Sequence, residues 1–317
     1  MKSTMAAIAQ RLREGDCITI LCHRKPDGDT LGSGFALYYA LRQLGKTCRV
    51  RCADDFPPLY NFLFGQYRPE EFEEQMVVAV DVASLPLLGS LREEYEGRID
   101  LTVDHHYSNE CFARENWVEE AAAAAEMVWE LIRALGVRPT PQIAACIYTG
   151  LVTDTGCFRY TNTTPRALRI AADILEGGLD TQPIIQAMFE SKTPGRLALE
   201  SLVLSRIRYY CQDRCAVIST DRAMQQEYQL DDYDLEGLSG LPRQIAGVLV
   251  GVTIREAEGE CRVSLRTNAP VDASAICAAF GGGGHLRAAG CTIPGAADQA
   301  EQLLVAEVSR HLDRLPA

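Results

Sequence analysis

Apolar residues in the first half of the chain follow two alternating rhythms. Short runs rich in β-branched residues, CITILCH (17–23), KTCRVRCA (46–53), QMVVAVDVA (75–83) and RIDLTVDHH (98–106), read as strands. Around them lie stretches with helical spacing, at 3–14 and in TLGSGFALYYALRQLG (30–45), which ends on a glycine stop. This βαβ rhythm predicts a mostly parallel sheet flanked by helices. From 121 to about 190 the pattern turns helical, through AAAAAEMVWELIRALG, PQIAACIYTGLVTDTG and TPRALRIAADILEGG. The alanine run at 121–125 reads only as a helix start of high propensity.

SKTPG (191–195) predicts a hinge, and RLALESLVLSRIRYY (196–210) a helix that bridges two domains. Beyond it, 216–220, 245–256 and 261–267 read as strands, and 272–280 and 296–315 as helices. The expected organisation is an α/β domain at 1–190, a hinge and linker helix at 191–211, and a smaller α/β domain at 212–317.

A length of 317 residues suits two domains, and 47% hydrophobic residues lets each bury a core. Lys and Arg total 31 against 43 Asp and Glu, a formal net charge of −12. That balance argues against gripping long nucleic acid through its phosphates or lying on an anionic membrane. No apolar run reaches the length of a transmembrane helix, and Gln10, Arg11 and Arg13 interrupt the N-terminal stretch before it can form a signal core. A cytoplasmic protein is expected, with its 12 cysteines kept as reduced, small, largely core residues.

The chemistry gathers after the strands. His23-Arg24-Lys25-Pro26-Asp27-Gly28-Asp29-Thr30 follows one strand and opens a helix, crowding three metal-type side chains into one loop. Asp29 or Thr30 as a helix cap would explain one of the three. Asp81 ends VVAV, where a lone Asp is also a common turn residue. Asp104-His105-His106 follows LTV, and two adjacent histidines cannot share one core slot. Asp154, in Thr153-Asp154-Thr155-Gly156, stands at a helix end, where its charge opposes the helix dipole. In a parallel sheet ligands bind beyond the carboxyl ends of strands, so these groups converge on one edge. Unpaired, so many carboxylates would repel. Two divalent cations resolve that, and mixed carboxylate and imidazole donors suit Mn²⁺, with Mg²⁺ or Co²⁺ as substitutes.

The second half carries Gly281-Gly282-Gly283-Gly284-His285-Leu286-Arg287, with Arg266 on the strand before it. A glycine-rich backbone lets N–H groups approach an anion, and His285, Arg287 and Arg266 could add charge; the alternative is a loop between helix and strand. No G-x-x-x-x-G-K-[ST] is present, so the sequence gives no support for a P-loop.

HRKPDGDTLGS, the Asp81 strand end, Asp104-His105-His106 and TDTG, in that order, resemble the motifs of the DHH phosphoesterase superfamily. FGGGGHLRAAG preceded by SLRTN resembles its DHH-associated C-terminal domain, so the likeness covers about 17–292. The compact two-domain form is similar to the nanoRNase and pAp phosphatase group. The resemblance implies a two-metal, Mn-dependent phosphohydrolase of short oligoribonucleotides or of the 3′-phosphate of pAp, with pApA or cyclic di-AMP as alternative substrates. It implies one metal on His23, Asp27 and Asp81, and another on Asp29, Asp81, His105 and Asp154. His106 would approach the scissile phosphate or leaving group, and Asp104 would orient its neighbours. Arg266, Gly282, Gly283 and His285 would hold the rest of the nucleotide. Short oligonucleotides or small nucleotide phosphates are the expected partners, with no long duplex and no membrane; a homodimer is compatible with this. The rivals are a RecJ-like single-strand exonuclease, a family inorganic pyrophosphatase and a non-catalytic nucleotide sensor. The acidic charge and 7% aromatic content count against the first, the glycine loop against the second, and the complete Asp and His set against the third.

Overall fold

The computed structural model describes residues 1–65, 67–228, 235 and 237–314. It divides into two compact units, Met1–Ser191 and Lys192–Ala317. Among the described residues no helix is long and apolar enough to cross a membrane.

The first unit opens with α1 (Met5–Glu14), β1 (Ile18–Leu21), α2 (Gly28–Gln43) and β2 (Cys48–Arg51). Then come β3 (Met76–Val80), β4 (Leu101–Asp104), β5 (Glu115–Val118), α3 (Ala124–Ala134), α4 (Pro141–Asp154) and α5 (Pro165–Glu176), with short turns of helix left unlabelled. The five strands form one sheet in the order β2-β1-β3-β4-β5, every pair parallel. β1, β3 and β4 are buried throughout and apolar apart from Thr19, Thr102 and Asp104, as a sheet covered on both faces requires. Strand order reverses between β1 and β3, the switch point where open α/β sheets bind ligands. The register sets Leu21 beside Ala79 and Val80 beside Val103, so the chain leaves β1, β3 and β4 at one edge.

Helix α2 packs closely on α4. A Cβ at Gly32 would stand 2.4 Å from the Cys146 carbonyl oxygen, so only glycine permits that approach. The expected strand and helix centres hold, mostly with shorter ends, while α2 starts two residues earlier than expected, at Gly28. β5 (ENWV) was not expected: its ends are half-buried and its apolar content is small. It is fixed by pairing with β4 and by the N-terminal residues, whose Met1 carbonyl accepts from Asn116.

The second unit contains α6 (Pro194–Ser205), β6 (Arg208–Tyr210), β7 (Cys215–Thr220), β8 (Val250–Glu256) and β9 (Glu260–Thr267). It continues with α7 (Ala273–Ala278), β10 (Gly283–His285), β11 (Ala288–Pro294) and α8 (Ala297–Leu312). Its sheet is mixed, in the order β10-β11-β9-β8-β7-β6, with only β7 and β8 parallel. The helix expected over 196–210 stops at Ser205, because Arg208–Tyr210 pairs antiparallel with β7. It packs on β7, within the second unit. The glycine run is not a plain loop either, since 283–285 forms a strand against β11. All 12 cysteines are free thiols.

Candidate active site

Each strand end delivers its side chain through a local device. After β1 the chain turns into α2, and the N-cap is Asp27, whose Oδ1 accepts from the amides of Asp29 (3.0 Å) and Thr30 (3.1 Å). The cap expected at Asp29 or Thr30 therefore lies two or three residues earlier. Asp29 is left to another task. Its Oδ2 accepts from Ala124 N (2.6 Å), and its Oδ1 from Ala125 N (2.9 Å) and the Ser33 hydroxyl (3.0 Å). The alanine run is thus more than helix propensity: its amides at the start of α3 hold a carboxylate from another element.

Asp81 stands one residue past β3 with φ +59°, a left-handed conformation that Asp and Asn tolerate better than most side chains. Its amide donates to Val103 O (3.0 Å), which ties the β3 end to β4. The side chain is buried, and its Oδ1 accepts no hydrogen bond.

The histidines are aimed from behind. His23 Nδ1 lies 2.8 Å from Arg24 O, so its Nε2 faces Asp27 Oδ1 and Asp81 Oδ2, each at 3.6 Å. His105 Nδ1 lies 3.2 Å from Ala121 O. Its Nε2 faces Asp81 Oδ1 (3.5 Å), Asp154 Oδ2 (3.7 Å) and Asp29 Oδ2 (3.8 Å). Asp104 is fully buried; its Oδ1 accepts from His106 Nδ1 (2.8 Å) and His105 N (2.9 Å). Asn109, which the sequence reading did not single out, donates its side-chain amide to Asp104 Oδ2 and to Val82 O. In the sequence it is one polar loop residue three positions past the histidine pair, which carries no signal of this role.

The donors form three overlapping sets among the described residues: His23, Asp27 and Asp81; Asp29, His105 and Asp154; and Asp81, His105 and His106. Within each set the ligand atoms lie within 4.8 Å of one another. The Nε2-to-carboxylate gaps are too long for hydrogen bonds. They suit donors separated by a common cation, since adjacent ligands with bonds of about 2.1 Å stand about 3 Å apart. The orphaned Asp81 Oδ1 and the carbonyl-oriented imidazoles fit divalent metal ions.

Electrostatics agree. Burial, then the charges of Asp29, Asp27, Asp104 and Asp154, pushes the Asp81 carboxyl well above the usual range. Burial and the charges of Asp29 and Asp27 do the same to Asp154. Burial disfavours a charged His23, but the neighbouring Asp27 outweighs it and raises the imidazole to about 9. Asp104 moves the other way: burial raises it, yet His106 and Asn109 hold it below the usual range. Bound cations would offset this crowding of negative charge.

In the second unit, Arg266 lies on β9 opposite Ala288, half-buried, with Nη1 donating to Leu265 O (3.1 Å). Two glycines of the run have packing reasons. A Cβ on Gly282 would meet Gly290 O at 2.2 Å, and one on Gly284 would meet Ala288 O at 2.5 Å. Gly283 faces open space. What approaches the backbone is, in part, the protein's own strand β11. The His285 backbone pairs with Ala288, while its side chain lies outside the described residues. Arg287 is committed locally, donating to Val271 O.

A switch-point cluster of carboxylates and imidazoles in an α/β unit is the architecture of a metal-dependent phosphoesterase, and known proteins agree. The DHH family, N-terminal domain, matches residues 17–151, and the DHHA1 domain matches 218–312. The bifunctional oligoribonuclease and PAP phosphatase NrnA of Thermus thermophilus is 34% identical over 305 residues, 94% of this chain and 90% of the relative. The protein of the same name from Bacillus subtilis is 24% identical over 294 residues, covering 90% and 92%. The crystal structure of an exopolyphosphatase-related protein from Bacteroides fragilis superposes with a TM-score of 0.90 at 25% identity, covering 98% of this chain and 97% of that one. The chain belongs to the DHH family, as a metal-dependent phosphoesterase with a DHHA1 domain.

Proposed function

We propose that this protein uses two divalent cations, Mn²⁺ foremost, to hydrolyse short oligoribonucleotides and to remove the 3′-phosphate of pAp. The observation that carries the reading is the buried, hydrogen-bond-orphaned Asp81 Oδ1, set between two groups of metal-type donors. The names of the relatives support the substrate class.

The first cation is assigned to His23, Asp27 and Asp81, and the second to Asp29, Asp81, His105 and Asp154. When bound, such cations offset the carboxylate charge and polarise both the phosphoryl group and the attacking water. The chain's own residues do the rest. Arg24 O and Ala121 O fix the ring planes of His23 and His105, and so the direction of each Nε2. Asn109 and two donors from the histidine pair lock Asp104. Asp104 accepts from His106 Nδ1, so proton exchange by that ring falls to Nε2, with the carboxylate stabilising the imidazolium. His106 then hydrogen-bonds the scissile phosphate or protonates the leaving oxygen. In the second unit Arg266, Gly282, Gly283 and His285 are assigned to the non-reacting part of the nucleotide. A cytoplasmic location is part of the same proposal.

The test is hydrolysis of pAp, a diribonucleotide and pApA by chelated protein with Mn²⁺, Mg²⁺ or Co²⁺ restored. Turnover of pAp and the diribonucleotide with Mn²⁺ supports the reading. Equal turnover in excess chelator, or hydrolysis of none of the three, contradicts it.

A further inference from the structure

Glu126 is a buried carboxylate that the proposed chemistry does not use. It sits in the first turn of α3, 1% exposed, and accepts hydrogen bonds both from the segment before that helix and from the segment entering α5. Its Oε2 accepts from Ala122 N (3.0 Å) and from the Thr164 hydroxyl (2.8 Å). Its Oε1 accepts from Arg166 Nε, whose Nη1 donates to Glu119 Oε1 (3.0 Å). Thr164 is also the N-cap of α5, accepting from Ala167 N. Glu126 therefore binds residues 119–125 to the chain entering α5.

These two segments are what holds one donor set. Asp29 receives the amides of Ala124 and Ala125. His105 is oriented by Ala121 O. Asp154 is tied at its backbone by Asn162, whose Nδ2 donates to the main-chain carbonyls of Asp154 (3.1 Å) and Ala122 (2.9 Å). Asp29 and His105 thus take side-chain contacts from residues 121–125, and Asn162 joins the backbone of Asp154 to Ala122, all within the two segments that Glu126 ties together. The other set is held differently. His23 takes its orientation from Arg24 O, and Asp27 from the amides in the first turn of α2.

We infer that Glu126, with Arg166 and Asn162, is a positioning residue for the metal ion at Asp29, His105 and Asp154 alone, an inference that rests on the two-metal reading above. A carboxylate suits the place because three donors converge on it. In Glu126→Gln one acceptor oxygen becomes an NH₂ group facing a donor, and the 119–125 segment shifts relative to α5. Groups that orient metal ligands from behind typically change metal affinity by about 10- to 100-fold when altered.

The experiment is calorimetric titration of the full-length, chelated protein with MnCl₂. Two binding events are expected for the unaltered chain. Asp154→Asn identifies one of them by weakening it most, and His23→Ala identifies the other. Glu126→Gln should weaken the Asp154 event about 10- to 100-fold and leave the His23 event within about twofold. Asn162→Ala, an exposed change that spares the core, should show the same asymmetry and serves if Glu126→Gln does not fold. Arg166→Lys, which keeps the charge, should fall between the two proteins. Two unaltered events in Glu126→Gln and Asn162→Ala, or equal weakening of both events, overturns the positioning role while the metal centre stands. No Mn²⁺ binding by the unaltered chain overturns the metal centre and the inference together.

Discussion

Replacing Asp81 by Asn tests the centre at its most connected atom. Asp81 belongs to two of the three donor sets, and its ligand atom lies within 4.8 Å of the Asp27 ligand atom. Asn tolerates the left-handed backbone at this position about as well as Asp, so the substitution removes charge without straining the chain. At an effective dielectric of about 20, two carboxylate charges about 4.8 Å apart repel by roughly 3.5 kcal/mol. His23, 3.6 Å from Asp81, offsets part of that. In chelator at pH 8 the variant should therefore be more stable than the unaltered chain, by about 1–3 kcal/mol or roughly 3–10 °C in Tm. Hydrolysis should move the opposite way. Losing a main electrostatic element should cost at least about 10³-fold in kcat on pAp with Mn²⁺. Thermal melts in chelator and steady-state rates with Mn²⁺ are the two measurements. Near-normal turnover of the variant, or its destabilisation in chelator, would mean that Asp81 is not the shared metal carboxylate.

Further outcomes follow from the same geometry. In metal-free protein the raised Asp81 and Asp154 carboxyls impose a penalty that grows as pH climbs from the ordinary carboxylate range toward their folded values. His23 adds a stabilisation fully present below 6.5 and lost as pH rises through about 9. Chelated protein should thus lose Tm from about pH 5 to 9, and the Tm gained on adding Mn²⁺ should grow over that range; a gain that stays constant with pH contradicts this. Arg266→Ala should lower kcat/KM on a diribonucleotide by about 10- to 150-fold, with metal content unchanged and much less effect on bis-p-nitrophenyl phosphate. Equal losses on both substrates would move Arg266 into the reactive centre. Two- to five-nucleotide RNA should be cleaved faster than a chain of about 20 at equal concentration, because an acidic protein gains little from counterion release; the reverse order would favour a processive single-strand exonuclease.

What could be read in advance divides along a physical line. His23, Asp27, Asp81 and Asp104 each follow a short apolar run, so strand periodicity alone places them at one edge of a parallel sheet. The elements that escaped depend on contacts distant in sequence. The Ala124 and Ala125 amides meet Asp29 across 95 and 96 positions, and Arg166 meets Glu126 across 40. An alanine carries no chemical signature, so its backbone role was invisible. Strand β5 has too little apolar content to announce itself and forms because β4 and the N-terminal residues supply its partners. Asn109 was hidden for another reason: an amide in a loop is a common turn residue, and only its contact with buried Asp104 distinguishes it. The glycine run was legible as a place of close backbone approach, but not that strand β11 makes much of that approach.

Anomalous diffraction from crystals soaked in MnCl₂, recorded at the manganese edge, would locate the cations at the strand ends. Two peaks are expected about 3.5–4 Å apart, both within bonding distance of the Asp81 carboxylate, one beside His23 and Asp27 and the other beside Asp29, His105 and Asp154. A single peak, or peaks away from Asp81, would contradict the two-metal centre.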